Sequence, residues 1–182
     1  MKRIIAIALL SAAIASPALA QQRESHWYGA LDAGTLNMQN SPYASPGSMT
    51  ISGGYRMNRN LALEAGVTAI GDSTLYGSGT SRTARQGDIR FLAVGILPVS
   101  QNIELFGKAG IGFHSARITN NLNGSYNQYT TGNAILGFGG QFNFNTRFGL
   151  RLQYEHLGKS KATDTDTGAD ISRVSIGGVL NF

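Results

Sequence analysis

Period-two alternation of apolar and polar residues is the feature that most limits what this chain can become. Between Ile103 and His114, Ile103, Leu105, Gly107, Ala109, Ile111 and Phe113 share one parity, while Glu104, Phe106, Lys108, Gly110, Gly112 and His114 share the other. Successive side chains of a strand point to opposite faces, so this segment reads as a strand with one apolar face and one that carries both charges. Leu61 to Ile70, Phe148 to His156 and Arg173 to Phe182 repeat the pattern, with Glu64, Arg151, Glu155 and Arg173 opposite the apolar residues. Trp27 to Leu36, Met49 to Met57 and Gly132 to Asn143 follow it with less contrast. Asp88 to Val99 is the weakest of the eight segments, because Arg90 shares a parity with Leu92, Val94 and Ile96.

The links between these segments alternate in length. Short ones fall at Asn58 to Asn60, Ser100 to Asn102 and Asn145-Thr146. Long polar ones fall at Asn37 to Ser48, Asp72 to Gln86, Thr119 to Thr131 and Lys159 to Asp170. Three short turns and four long loops are what eight up-and-down strands need when both ends lie on one side, and short-turn/long-loop asymmetry marks membrane barrels. The expected fold is therefore all-β: an eight-stranded antiparallel up-and-down transmembrane β-barrel, closed by pairing Trp27–Leu36 with Arg173–Phe182.

The first twenty residues stand apart. Lys2 and Arg3 precede an apolar stretch from Ile4 to Ile14, and Ala18-Leu19-Ala20 ends in a small-residue cleavage pattern, so residues 1–20 read as a signal peptide and 21–182 as one barrel domain. No apolar run approaches the ~20 residues a spanning helix needs, so any membrane crossing uses strands. There is no cysteine, which removes disulfides, thiolate metal sites and thiol nucleophiles. Beyond residue 20 the chain carries 13 basic and 10 acidic side chains. The basic ones are scattered, a poor footprint for nucleic acid. Charged residues are 14% of the chain, against about 25% in a typical soluble domain.

Alternation alone does not say which face is inside. The apolar faces carry aromatics near strand ends (Trp27, Tyr55, Phe142, Phe148, Tyr154 and the terminal Phe182, with Phe144 beside them), as the interfacial girdles of a membrane barrel do. The polar faces mix small residues with charges of both signs. An eight-stranded barrel is just filled by its side chains, so Glu64, Glu104, Lys108, Arg151, Glu155 and Arg173 are expected to pair inside it. They could form a gate in which Glu64 and Glu104 exchange partners among Lys108, Arg151 and Arg173, or a static network; the narrow lumen favours the static one.

The closing segment Val174-Ser-Ile-Gly-Gly-Val-Leu-Asn-Phe182 resembles the last strand of OmpA-like and OmpX/Ail-like outer-membrane barrels. Asn102–Gly112 and Arg151–Gly158 are similar to their fifth and seventh strands. The resemblance implies residence in the outer membrane of a Gram-negative envelope, contact with its lipid and lipopolysaccharide, and a terminal aromatic, Phe182, read by the barrel assembly machinery. It also implies a porin-like or adhesin-like role rather than catalysis.

Other residues invite sharper readings. His156 and Ser160 superficially suggest a lipid A deacylase, but such enzymes carry a His-x-Ser-Asn stretch and this chain reads Glu155-His-Leu-Gly-Lys-Ser160. His26 and His114 have no ligand-spaced partners. Asp164, Asp166 and Asp170 lack the glycine and terminal glutamate of a calcium loop. No catalytic, cofactor or metal residue is therefore expected. The long links hold Tyr43, Tyr76, Tyr126 and Tyr129 among Asn, Ser, Thr and Gly, a composition suited to adaptable contacts with a surface ligand. Arg82, Arg85, Arg117, Lys159 and Lys161 are expected near lipopolysaccharide phosphates. The functional reading is a non-enzymatic envelope or surface-interaction protein, with a minor solute pore and then lipid A modification as alternatives.

Overall fold

The computed structural model describes residues 25–38, 46–77, 80–120, 126–160 and 169–182, without the side chains at 38, 72–77, 80–85, 116–120, 126–129, 159–160 and 169. Residues 1–20, Tyr43, Lys161, Asp164 and Asp166 lie outside that description. The eight strands are β1 (His26–Met38), β2 (Gly47–Arg56), β3 (Leu61–Gly77), β4 (Thr80–Pro98), β5 (Ile103–Asn120), β6 (Tyr126–Asn143), β7 (Phe148–Ser160) and β8 (Ala169–Asn181). Each pairs antiparallel with the next, and β1 pairs with β8, giving a closed barrel. The closing register runs from Tyr28↔Asn181 to Met38↔Ile171.

Closure tilts the strands. The rung that starts where Phe182 N–H donates to the Trp27 carbonyl continues through Tyr55, Leu63, Ala93, Ala109, Leu136 and His156. It returns to β8 at Ser172, ten residues up the strand. That stagger is the shear a closed barrel of tilted strands requires.

The three tight turns share one construction. Asn58, Ser100 and Asn145 each turn a side-chain oxygen back onto following backbone N–H groups: Asn60 onto Asn58 Oδ1 at 2.8 Å, Ile103 onto Ser100 Oγ at 3.1 Å, and both Arg147 and Phe148 onto Asn145 Oδ1 at 2.8 Å. Asn and Ser suit turns because their short side chains satisfy local backbone donors.

At the opposite end the strands run further than the alternation indicates. The rungs of β3–β4 reach Gly77↔Thr80 and those of β5–β6 reach Thr119↔Tyr126. Most of the expected loops at 72–86 and 119–131 are thus paired strand, and Tyr76, Arg82, Arg85, Arg117, Tyr126 and Tyr129 sit in strands rather than loops. Ser160, expected in a loop, is the last residue of β7. The physical reason is simple: a hairpin that projects beyond an apolar layer has no face to hide, so its sequence loses the contrast that marks a strand. In β7 the register shifts between His156 and Gly158, and Gly158 takes φ +80°, a left-handed conformation that favours glycine.

Candidate functional site

The barrel is inside out. Alternate residues on the strands are exposed and apolar, including Val67 (58% exposed), Phe138 (64%) and Leu152 (59%), whereas Thr68 beside Val67, and Arg151 and Gln153 beside Leu152, are buried. Trp27, Tyr55, Phe142, Phe148, Tyr154 and Phe182 all have outward positions. Rings meet at Trp27–Tyr55 (centroids 4.9 Å apart), Phe138–Tyr154 (5.5 Å) and Phe142–Phe144 (5.2 Å). A surface of this kind is incompatible with water on all sides and fits a hydrocarbon layer.

The inner face holds ten buried charges, Asp32, Glu64, Asp88, Glu104 and Glu155 against Arg56, Arg90, Lys108, Arg151 and Arg173. Five of each sign make the described lumen electrically neutral. They form three groups. Nearest the tight turns, Arg56 reaches across from β2 to Glu104 on β5 (2.9 and 3.2 Å) and caps the Arg59 carbonyl at 2.7 Å. In the middle, Arg151 Nε donates to Asp32 at 2.7 Å, its Nη1 to Glu64 at 2.9 Å and its Nη2 to Ser52 at 3.1 Å. Glu64 also accepts from Lys108 Nζ at 2.8 Å and from the Tyr28 hydroxyl at 3.0 Å. Towards the long hairpins, Arg90 holds Asp88 (2.8 and 2.9 Å), Thr68 (2.8 Å) and Glu155 (2.8 Å), and Arg173 donates to Glu155 and Thr50.

The six sequence-expected interior charges are all buried, but their partnerships differ from the expected exchange set. Glu104 pairs with Arg56, and Arg173 pairs with Glu155. Asp32, Arg56, Asp88 and Arg90 complete the assembly although sequence reasoning did not select them. Their signal was parity: each stands in its strand opposite outward apolar residues, as Arg90 does between Ile89 and Phe91. Arg90 only looked like a flaw in β4, because its inward companions Leu92 and Val94 are apolar too.

Those companions belong to two apolar clusters. Leu36, Ile70, Leu92, Ile135, Leu157 and Ile171 form a collar beside the Arg90–Glu155–Arg173 group, with Leu157 and Ile171 two residues nearer the hairpins than Glu155 and Arg173 and Leu92 two residues nearer the turns than Arg90, while Ala62, Val94 and Phe106, with Tyr28 and Ile96, pack beside the middle group. A cavity lined by Arg56, Glu104, Tyr28 and Gln141 leaves about 30 Å³ open to a water-sized sphere, room for roughly two waters. Beside the collar, at Asp88, His114, Asn133 and Leu157, the space falls to about 10 Å³. His156 lies on the outer face between inward Glu155 and Leu157. Among the described residues no cluster of His, Cys, Asp or Glu has the arrangement of a metal site.

A closed eight-stranded barrel with an apolar exterior and a neutralised ionic core defines a membrane-embedded β-barrel protein. The sequence profile of one family, the outer membrane protein beta-barrel domain, matches residues 6–182, and the chain belongs to that family. No curated protein matches the chain in sequence. Among solved structures it is similar to Neisserial surface protein A (16% identity, TM-score 0.65, covering 90% of this chain and 100% of that one). It is similar also to Ail, the attachment invasion locus protein of Yersinia pestis, in complex with the heparin analogue sucrose octasulfate (14%, 0.61, 90% and 100%). A third is the outer membrane protein OprG from Pseudomonas aeruginosa (7%, 0.62, 90% and 98%). At these identities the likeness is one of fold.

Proposed function

We propose that this protein is a non-enzymatic, non-conducting barrel of the outer membrane that holds its four hairpin tips at the cell surface for contact with the envelope or with an external ligand. The observation that carries the reading is the filled lumen. Guanidinium groups bridge opposite walls at three levels, and an apolar collar packs beside the uppermost. Moving an ion through would mean separating buried pairs, at about 3–5 kcal/mol for each partner left uncompensated. With the tight turns and both ends on the periplasmic side, the β3–β4 and β5–β6 hairpins extend outward, where rigid scaffolds commonly carry recognition. Residues 1–20 act as the export signal, Phe182 as the signal to the assembly machinery, and the outward aromatics as interfacial anchors. The ten-member charge assembly serves as the structural core. The heparin-analogue complex of Ail supports a search for anionic surface ligands here.

Two measurements test this. Heat-modified migration of the refolded protein on gels should separate folded from boiled forms, and planar-bilayer recording of the folded form should give no discrete conductance. Reproducible single-channel steps would replace the reading with a solute pore. Replacement of residues 39–45, 78–79, 121–125 and 161–168 by short Gly-Ser linkers should leave folding intact and abolish surface binding.

A further inference from the structure

The lipid-facing belt is not the same height all round. On β4, β5 and β6 the outward positions stay non-polar for eleven residues, from Ile89 to Val99, Ile103 to Phe113 and Ala134 to Phe144. On β7 and β1 they do so for seven, from Phe148 to Tyr154 and from Trp27 to Ala33. On β2, β3 and β8 the run is nine, from Met49 to Met57, Leu61 to Ala69 and Val174 to Phe182. At about 3.3 Å per residue and a tilt of about 40°, the extremes are roughly 25 Å and roughly 15 Å of apolar wall. Tilting the whole barrel shifts both edges of the belt together on any one side, so it leaves this difference in height unchanged.

The next outward residues on the low side are polar: Thr35 on β1, His156 on β7 and Ser172 on β8. Along the rung that begins at Trp27, each successive strand climbs about 3 Å, and each residue along a strand adds about 2.5 Å. By that count Thr35, His156 and Ser172 stand roughly 20 Å above Trp27, level with the exposed, apolar Ala69 on β3 and Ile89 on β4. Since β7, β8 and β1 are consecutive round the ring, the three polar residues form one patch, at a depth where the opposite wall meets acyl chains. Two further features fall at this level. The β6–β7 ladder stops at Leu136↔His156 although β6 runs on to Tyr126, whereas the β5–β6 ladder continues to Thr119↔Tyr126. An interrupted ladder needs water within reach, and hydrocarbon offers none. Tyr154, one outward position below His156, tops the short belt of β7, and tyrosine rings settle where acyl chains give way to headgroups.

We propose that the β7–β8–β1 face fits a locally thinned outer leaflet, whose headgroups and water lie about 5 Å lower here than at β4–β6, one outward position along a strand. A bilayer accommodates a short apolar stretch by thinning beside it, at modest cost, whereas polar groups left in hydrocarbon lose the hydrogen bonds of water. A second copy pressed against this face would cover the three polar side chains but shut water out from the end of the β6–β7 ladder. Lipid headgroups meet both needs. The proposal rests on the outer-membrane orientation given above.

The test uses the full mature chain, which has no cysteine of its own, inserted in dimyristoylphosphatidylcholine vesicles with one nitroxide label at a time. Labels on Thr35→Cys and Ser172→Cys should collide with a water-soluble nickel chelate several-fold more often than labels on Ala69→Cys and Ile89→Cys, which should favour dissolved oxygen. Oxygen-dominated collisions at all four sites overturn the proposal. Chelate-dominated collisions at all four overturn it too, because the belt is then low all round. Shielding of the first two sites from both agents, with spin–spin coupling between barrels, replaces the lipid with a second copy. The heat-modification midpoint of the unsubstituted chain should fall on passing to vesicles of longer-chain dieicosenoylphosphatidylcholine, and that of T35V/H156L/S172V should fall less. An equal fall removes the three side chains from the account. A barrel that inserts but gives four like labels ends this inference alone. A chain that does not insert ends both it and the reading on which it rests.

Discussion

Gly177 and Gly178 are neighbours in β8 with opposite surroundings. A Cβ built on Gly177 would lie 2.1 Å from Asp32 Oδ1 and 2.5 Å from the Leu31 carbonyl oxygen, whereas one on Gly178 would meet nothing within 4 Å. Gly53 and Gly54 in β2 repeat the contrast: open space at Gly53, and the Tyr28 ring 2.2 Å away at Gly54. The two faces of one wall thus obey different rules. The inner face is a packed, directional polar core, where each buried charged side chain has a named ion-pair partner and spare volume is scarce. The outer face is solvated by acyl chains that adjust to any apolar shape, so there only polarity is constrained.

Substitutions can break or sharpen this comparison, and their effects should fall in a definite order. The largest is expected at Glu155, which pairs with both Arg90 and Arg173. Glu155→Ala leaves two buried guanidinium groups short of a partner and should cost about 3–5 kcal/mol or more in urea unfolding from vesicles. A cost below about 1 kcal/mol would mean that the lumen is wet enough to solvate the charges. Next comes the outer face: Val67→Arg, far from either strand end, should cost ~2–4 kcal/mol in the same assay. If Val67→Arg is neutral, the supposed lipid face is bathed in water.

Gly177→Ala should cost about 1–3 kcal/mol through overpacking, with Gly178→Ala close to neutral. Equal costs at the two positions would remove the distinction between the faces. Last, the double change Arg56→Leu with Glu104→Met should cost little or even stabilise, because two well-packed apolar residues often match a buried ion pair. Glu104→Ala alone should be several-fold worse. Comparing the unfolding free energies of the single and double variants isolates the pairing from the packing.

Legibility followed the same division. The apolar face of each strand could be read directly, because it needs only that every second residue be apolar, as in Leu61–Ile70 or Phe148–His156; that this face is the outer one took the aromatics near strand ends and the mixed charges of the other face as well. The inner face could be read in composition but not in connection. Glu64, Glu104 and Arg151 were recognisable as interior charges, yet nothing local says that Arg56 serves Glu104. In the strongly polar hairpins of β3–β4 and β5–β6 even the strand ends were hidden, since their sequence there lacks the alternation of apolar and polar residues.

The alternation, the strand count and the short-long rhythm of the links are local properties, and the chain carries them residue by residue. They determine an eight-stranded antiparallel barrel closed between its first and last strands. The pairing of charges is not local: Arg151 and Asp32 stand 119 residues apart, and they meet only because closure with a ten-residue stagger places β7 and β1 on either side of β8. Which acid neutralises which base, and which rim residues share a rung, depends on register and tilt accumulated round the whole ring. Those are fixed only when the ring closes.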